Sequence, residues 1–285
     1  CSMVTMFSLL PRYMSYHLSV IIMDMLRQAG IDRMDAEVLL AHALQKDRTW
    51  LIAHGDETIP PEAHAAFTRD IARRAAYEPV AYITGEKEFY GRTFCITPAV
   101  LIPRPATEGL IDFTLDRFHG NTCDTVRSVD TGIVVCAAMY GQLTGVRTIV
   151  DVGTGSGCIG ITLACELPDL CVIATDISQE ALSVARMNAR RHDVNDRIMF
   201  RYGSLLDPVS DLHDPFLVVS NPPYIPECVV LPPDVVRYEP HGALYAGQDG
   251  MDAIRELVQQ AHAHPQCRGV LLECRAEQAS AVHIA

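Results

Sequence analysis

The tetrapeptide Asn221-Pro222-Pro223-Tyr224 follows an apolar run, Val218-Val219-Ser220, and its residue types point to a specific chemistry. Two prolines fix φ and remove two backbone donors, so this part of the loop offers carbonyl acceptors. Asn221 adds a side-chain carbonyl. The Asn221 oxygen and the Pro222 carbonyl can together accept both hydrogens of a planar NH2 group. An amide nitrogen has a delocalised lone pair and is a poor nucleophile. Accepting its hydrogens shifts charge onto the nitrogen as it attacks an electrophile, and holds it in line. Tyr224 adds an aromatic surface for a planar group. On these residues alone, an adenine amino group fits as well as a glutamine side chain.

A second cluster supplies the other half of such a reaction. Asp151-Val-Gly153-Thr154-Gly155-Ser156-Gly157 places three glycines after one apolar run and before a helical one. Glycine lets the backbone turn sharply and lets a ligand approach without a Cβ in the way. Gly155-Ser-Gly157-Cys-Ile-Gly160 also reads as G-x-G-x-x-G, which admits a nicotinamide dinucleotide. Asp151 argues for S-adenosylmethionine instead, because a carboxylate there can meet an amino group that nicotinamide cofactors lack. Asp176 ends the next apolar run, where it can accept both hydroxyls of a ribose. Both cofactors share that need. No Tyr/Lys or His constellation of an oxidoreductase accompanies the glycines. A sulfonium cofactor carries its own electrophile, so neither a metal nor a protein nucleophile is required. The 10 cysteines include no C-x-x-C pair and no zinc spacing.

These residues need a parallel sheet to position them. From Thr148 onward, apolar strands at 149–152, 171–175, 198–202, 216–220 and 269–273 alternate with helical stretches at 158–167, 179–191 and 251–262. That alternation predicts an α/β fold with helices on both faces of the sheet. Ligands in such sheets bind at the carboxyl ends of the strands, where both motifs sit. Upstream, apolar residues recur at helical spacing over 18–29 and 35–44, and Pro60-Pro61 opens a third helix to about Tyr77. Residues 1–84 therefore read as a small helical bundle. Residues 85–103 read as a β-hairpin linker turning at Gly91, and 104–285 as the catalytic domain. Thr107 is placed to cap a helix from Glu108. Residues 120–148 show weak periodicity and one apolar patch, 133–140, and read as a surface insertion.

The balance of 23 basic and 35 acidic residues, a net charge of -12, disfavours a grip on long nucleic acid. A protein or small-molecule partner in a reducing cytoplasm is the better expectation, and no apolar run spans a bilayer.

The chain closely resembles the HemK/PrmC family, glutamine-N5 methyltransferases of peptide chain release factors. The shared segments run in order from Glu78-Pro-Val-Ala-Tyr-Ile-Thr-Gly85 and Glu88-Phe-Tyr-Gly91 through Val100-Leu-Ile-Pro-Arg-Pro105 to Asp151–Gly157. They continue through Asn221-Pro-Pro-Tyr-Ile225, Tyr238-Glu-Pro240 and Asp249-Gly-Met-Asp252. The resemblance implies a class I (Rossmann-like) S-adenosylmethionine methyltransferase domain behind an N-terminal domain that recognises the release factor. It implies that Gly153–Gly157 and Asp176 hold the cofactor, with Leu205 beside the adenine, and that Asn221–Tyr224 hold the glutamine of a Gly-Gly-Gln loop. Arg104-Pro105 favours the release-factor branch over relatives that methylate a ribosomal protein. The family pattern carries Glu where Ala106 stands, and it continues past Glu273 through a helix and a final hairpin. Ala285 falls inside that helix, so the expectation is a bare sheet edge and reduced stability. A protein that binds the cofactor or the release factor without turnover is the alternative.

Overall fold

The computed structural model describes residues 21–121, 126–130 and 132–282 and divides into two compact units, 1–76 and 77–285. In the first unit lie α1 (Ile22–Gln28), α2 (Arg33–Leu44), α3 (Arg48–Ala53) and α4 (Pro61–Ala75). Asp32 starts α2 by accepting the Met34 and Asp35 amides, and Asp47 starts α3 by accepting that of Trp50. The expected first helix begins at residue 18, but 18–20 lie outside the described residues. Phe67, Leu39 and Leu40 are fully buried and form this unit's own core.

The second unit opens with α5 (Val80–Thr84), β1 (Glu86–Phe89) and β2 (Arg92–Cys95). Tyr90 and Gly91 connect the strands at φ +52° and +70°, the two positive values that a tight hairpin turn demands. Beyond it, 97–104 is irregular, so Val100-Leu101-Ile102 does not continue the ribbon. The rest runs α6 (Glu108–Phe118), β3 (Val126–Asp130), β4 (Ile133–Met139), β5 (Thr148–Val152), α7 (Cys158–Glu166), β6 (Cys171–Asp176), α8 (Gln179–Arg191) and β7 (Ile198–Tyr202). Then come β8 (Phe216–Ser220), α9 (Pro233–Tyr238), α10 (Asp252–Ala263), β9 (Cys267–Arg275) and α11 (Ala279–Val282).

Seven strands form one sheet in the order β3-β4-β9-β8-β5-β6-β7. The five from β5 to β9 are parallel to one another, as the alternating pattern predicts. β5 pairs with both β6 and β8, so the strand order reverses there and a crevice opens at the carboxyl ends. Two apolar layers cover the sheet, one around Leu110, Ile149, Leu163 and Leu217, the other around Val150, Val218, Leu257 and Leu272.

Two expectations about the sheet edge fail. Residues 120–148 are not a surface insertion, because β4 is buried from Val134 to Ala138 and packs into both layers. Nor is the outer edge of β9 bare: β4 pairs antiparallel along it from Ile133↔Arg275 to Met139↔Gly269, and β3 pairs β4 in turn. The periodicity of 133–139 is weak because both faces are covered, which erases the alternation of a half-exposed strand. Ala137 is 1% exposed. Replacing it with Asp places an unpaired charge in the core, so Ala137→Asp should cost about 3 kcal/mol or more in urea unfolding. A change within about 0.5 kcal/mol would restore the surface reading.

Candidate active site

The crevice holds a cavity of about 480 Å3, within the range of small-molecule sites. Its walls are the loops after β5, β6, β7 and β8. Gly153 and Gly155 follow β5, Asp176 ends β6, Gly203 to Leu205 follow β7, and Asn221, Pro222 and Pro223 follow β8. Ala99 to Leu101 form a further side. The Tyr82 hydroxyl holds that segment by donating to the Val100 carbonyl at 2.7 Å. Buried Glu239 also holds it, accepting the Ile102 amide at 3.2 Å and Arg104 at 2.5 Å.

The residues of the glycine turn have different environments. Gly153 and Gly155 have positive φ and open space where a Cβ would stand, apart from the Gly153 carbonyl at 4.0 Å from the latter. Gly157 is different: a Cβ there would lie 2.6 Å from Ile161 and 3.2 Å from Ala185. It is a packing glycine that brings α7 against α8, and it does not line the cavity. Thr154 and Ser156 are also buried away from it.

Asp151, expected among the cofactor residues, lies beneath the turn. It is fully buried and does not line the cavity. Its Oδ2 accepts the Thr154 hydroxyl at 2.6 Å and the Gly160 amide at 2.9 Å, bracing the turn from beneath. Oδ1 is buried with no hydrogen-bond partner among the described residues. Burial pushes its carboxyl pKa up to about 6, against the pull of those two donors.

Asp176, at the end of β6, is a carboxylate that lines the cavity. Oδ2 accepts the Gly155 amide and Oδ1 the Ser178 amide, each at 2.9 Å. A carboxylate has about four lone-pair sites, so two backbone donors leave acceptors for vicinal hydroxyls. Burial raises its proton affinity, offset by backbone donors including Gly155 and Ser178. Leu205 lines the cavity at φ +45°, an uncommon conformation for a leucine. Such outliers concentrate at functional sites.

In the loop after β8, Asn221 Nδ2 donates to Thr107 Oγ1 at 3.0 Å. Thr107 is 2% exposed and makes no side-chain capping bond to α6, so its expected role as a cap is replaced by this contact. Tyr224 does not line the cavity. Its hydroxyl donates to Glu273 Oε1 at 2.8 Å, and burial beside that carboxyl pushes the phenol pKa up, keeping it a neutral donor. Gln278 Nε2 donates to the Tyr224 carbonyl at 3.0 Å and the Gly250 carbonyl at 3.2 Å.

Sequence reasoning missed several residues here. Tyr245, Gly247, Asp252 and Glu256 line the cavity between the loop before α10 and that helix. The segments Tyr238-Glu-Pro240 and Asp249-Gly-Met-Asp252 flag the region by resemblance, but no residue type in them names a ligand. Asn188, inside α8, is fully buried; it donates to the Ser156 carbonyl at 2.8 Å and accepts the Cys95 amide at 2.7 Å. It thus ties the glycine turn to β2.

The comparisons with known proteins bear on the chain's family. A model of the PrmC N-terminal domain matches residues 22–85, and one of the methyltransferase small domain matches 127–230. The chain is 40% identical over 262 residues to a release factor glutamine methyltransferase of Cereibacter sphaeroides, covering 90% of this chain and 84% of that one. It is 39% identical over 254 residues to one from Koribacter versatilis, covering 88% and 82%. It is 38% identical over 268 residues to a bifunctional methyltransferase of Rickettsia typhi, covering 91% of this chain and spanning half of that protein's length. No helix among the described residues is long and apolar enough to cross a membrane.

Two predictions follow from the carboxylates. Between about pH 4 and 6 the folded chain keeps a proton on Asp151 that the unfolded chain has released. That group's stabilisation is therefore greatest below about pH 4 and is lost as pH rises through 6, by up to about 3 kcal/mol. The unfolding free energy of the parent relative to Asp151→Asn should fall across that window, and a flat difference would contradict the buried placement. Asp176→Ala should weaken S-adenosylmethionine binding in calorimetry by about 10- to 100-fold; unchanged affinity would remove Asp176 from the cofactor site.

Proposed function

The chain belongs to the family of release factor glutamine methyltransferases, and on that premise we propose that it methylates N5 of the glutamine in the Gly-Gly-Gln loop of peptide chain release factors. One observation carries the reading: Asn221, Pro222 and Pro223 open onto the same cavity as Gly153, Gly155 and Asp176. An acceptor loop for a planar NH2 group and a nucleoside cradle thus share one chamber.

The cavity fits S-adenosylmethionine in size, in its open glycine backbone and in an acidic residue with spare acceptors. Gly153 and Gly155 would admit the methionine end, Asp176 the ribose hydroxyls, and Leu205 would lie against the adenine. When bound, the cofactor supplies a methyl group on a sulfonium, ready for attack by a nucleophile. The protein's own task is to make an amide nitrogen into that nucleophile. Asn221 Oδ1 and the Pro222 carbonyl accept its two hydrogens and fix its plane. As nitrogen gives its electron pair to the methyl carbon it gains positive charge and its hydrogens become more acidic. Those hydrogen bonds therefore strengthen and favour the transition state over the ground state. The S–C bond would break to leave a thioether, and one N–H proton would pass to solvent. The walls around 99–101 and 240–247 confine the reacting groups within the crevice.

The test incubates the chain with labelled S-adenosylmethionine and a release factor and maps the methyl by mass spectrometry. Label on the Gly-Gly-Gln glutamine is expected, and Asn221→Ala should lower kcat by about 100- to 1000-fold with little change in cofactor affinity. Label on another residue, or full activity in Asn221→Ala, would overturn the assignment.

A further inference from the structure

We propose that Gln278 is a positioning residue for methyl transfer, whose buried side-chain amide locks the acceptor loop against the turn before α10. The inference rests on the reading of Asn221 and Pro222 as acceptors for the substrate amide. Those acceptors work only while the loop that carries them stays within about 0.5 Å of its productive place. Backbone pairing does little to keep it there. Pro222 and Pro223 have no N–H to donate. The sheet ladder ends with Ser220, and pairing resumes only where Ile225 bridges to Tyr245. The Tyr224 carbonyl lies in that gap.

Gln278 closes the gap from behind. It follows β9, is buried and stands outside the cavity wall. Its Oε1 accepts the Arg275 amide at 3.0 Å, so the other end of the side chain is the donor. Nε2 meets three carbonyl oxygens, those of Tyr224 at 3.0 Å, Gly250 at 3.2 Å and Asp249 at 3.4 Å. All four partners are backbone atoms, and contacts at both ends fix which way the amide points. One of the carbonyls belongs to the acceptor loop. The other two belong to the turn that leads into α10, where Asp252 and Glu256 line the same cavity as Asn221 and Pro222. One side chain thus joins two walls of the chamber. A carboxylate in its place would face three carbonyls as a further acceptor, and a thioether would offer them no donor.

The backbone itself shows how close the two walls come. Gly250 has φ +73°, and a Cβ there would lie 2.3 Å from the Tyr224 carbonyl oxygen and 2.9 Å from the Pro226 nitrogen. Only a glycine lets the turn touch the loop at this point. Just beyond, the Ile225 and Glu227 amides donate to the Leu244 and Gly247 carbonyls at 2.9 and 3.0 Å. A loop released from the turn would open these two bonds next.

The test uses two variants of the whole chain. Gln278→Met keeps the bulk and removes the donor, while Gly250→Ala pushes on the same carbonyl and leaves Gln278 intact. Amide hydrogen exchange at 225–227, read by mass spectrometry, should accelerate at least 10-fold in both, with the glycine turn at 153–160 unchanged. Unchanged exchange at 225–227 in Gln278→Met, or equal acceleration at the glycine turn in both variants, overturns the clamp whatever the activity. Faster exchange confined to 225–227, with no glutamine methylation by the parent, overturns the proposed function alone. Where transfer is seen, each variant should lower kcat at least 10-fold with cofactor affinity within 2-fold. The double variant should be within 2-fold of the slower single one, because both act on one carbonyl. Full kcat in Gln278→Met despite a loosened loop, or losses that multiply, would show a structural role and end the proposal.

Discussion

Three parallel strands that end level with one another set the geometry of this molecule. Val152, the last residue of β5, pairs with Thr175 on one side and Ser220 on the other. The residues at or just beyond these ends are Gly153, Asp176 and Asn221. They therefore arrive side by side at the lip of the crevice, though 68 positions separate the first from the last. Parallel pairing is slanted and evenly spaced, so a one-residue slip would turn every side chain to the wrong face. The buried runs of β5 and β8 forbid that slip, since Ile149, Val150, Val218 and Val219 have no exposure to trade. The cofactor wall and the acceptor wall are consequently held to one register by apolar packing and by the β5–β8 ladder, at whose end the Ser220 hydroxyl donates to the Val152 carbonyl at 2.8 Å.

Behind that packing lie carboxyl groups at depths where an unpaired charge is expensive. Asp151 sits under the glycine turn, Glu239 behind the 99–104 segment, and Glu273 behind the Asn221 loop. Each takes donors from a stretch of chain that forms a cavity wall. Loops at strand ends have backbone and side-chain donors that no ladder satisfies. A buried acceptor with several lone pairs collects them and fixes the loop's path. Burial raises the proton affinity of Asp151 and Glu273, so their geometry is maintained against a real desolvation cost. That arrangement suits a site whose chemistry depends on small differences in where two acceptors point.

The sheet, the hairpin turn at Tyr90-Gly91 and the place of the two motifs were legible in the sequence because they rest on local signals. Strand periodicity, a positive-φ glycine and paired prolines each act within a few residues. What escaped depends on contacts between distant positions. Asp151 and Gly157 read as ligand residues by motif, and the motif gives no sign of the bracing bonds of the one or the close packing of the other. Thr107 reads as a cap by its place before α6, but a partner 114 positions away claims its oxygen. Asn188 is an unremarkable polar residue in a helix until Cys95, 93 positions away, meets it. The short helices α3 and α5 escaped because five or six residues carry too little periodicity to register.

The segment 126–139 shows most clearly how tertiary context overrides sequence order. A sheet edge requires an antiparallel or parallel partner with the right register; it is indifferent to which part of the chain supplies it. Here a hairpin upstream of β5 pairs the last strand of the parallel series. Val135 stands opposite Glu273, and on the other side of β9 Ser220 stands opposite Leu272. The backbone that carries Glu273 is thus clamped between β4 and β8. Beyond it, Ala279 and Val282 pack into the apolar layer that includes Val134 and Cys136, while Gln278 reaches back to the Tyr224 carbonyl. The hairpin therefore stands one strand away from the acceptor loop in mechanical terms, however remote it is in sequence. Damage to β4 should be felt at Asn221 through β9 before it is felt at the glycine turn, which leans on β5, β6 and α8 instead.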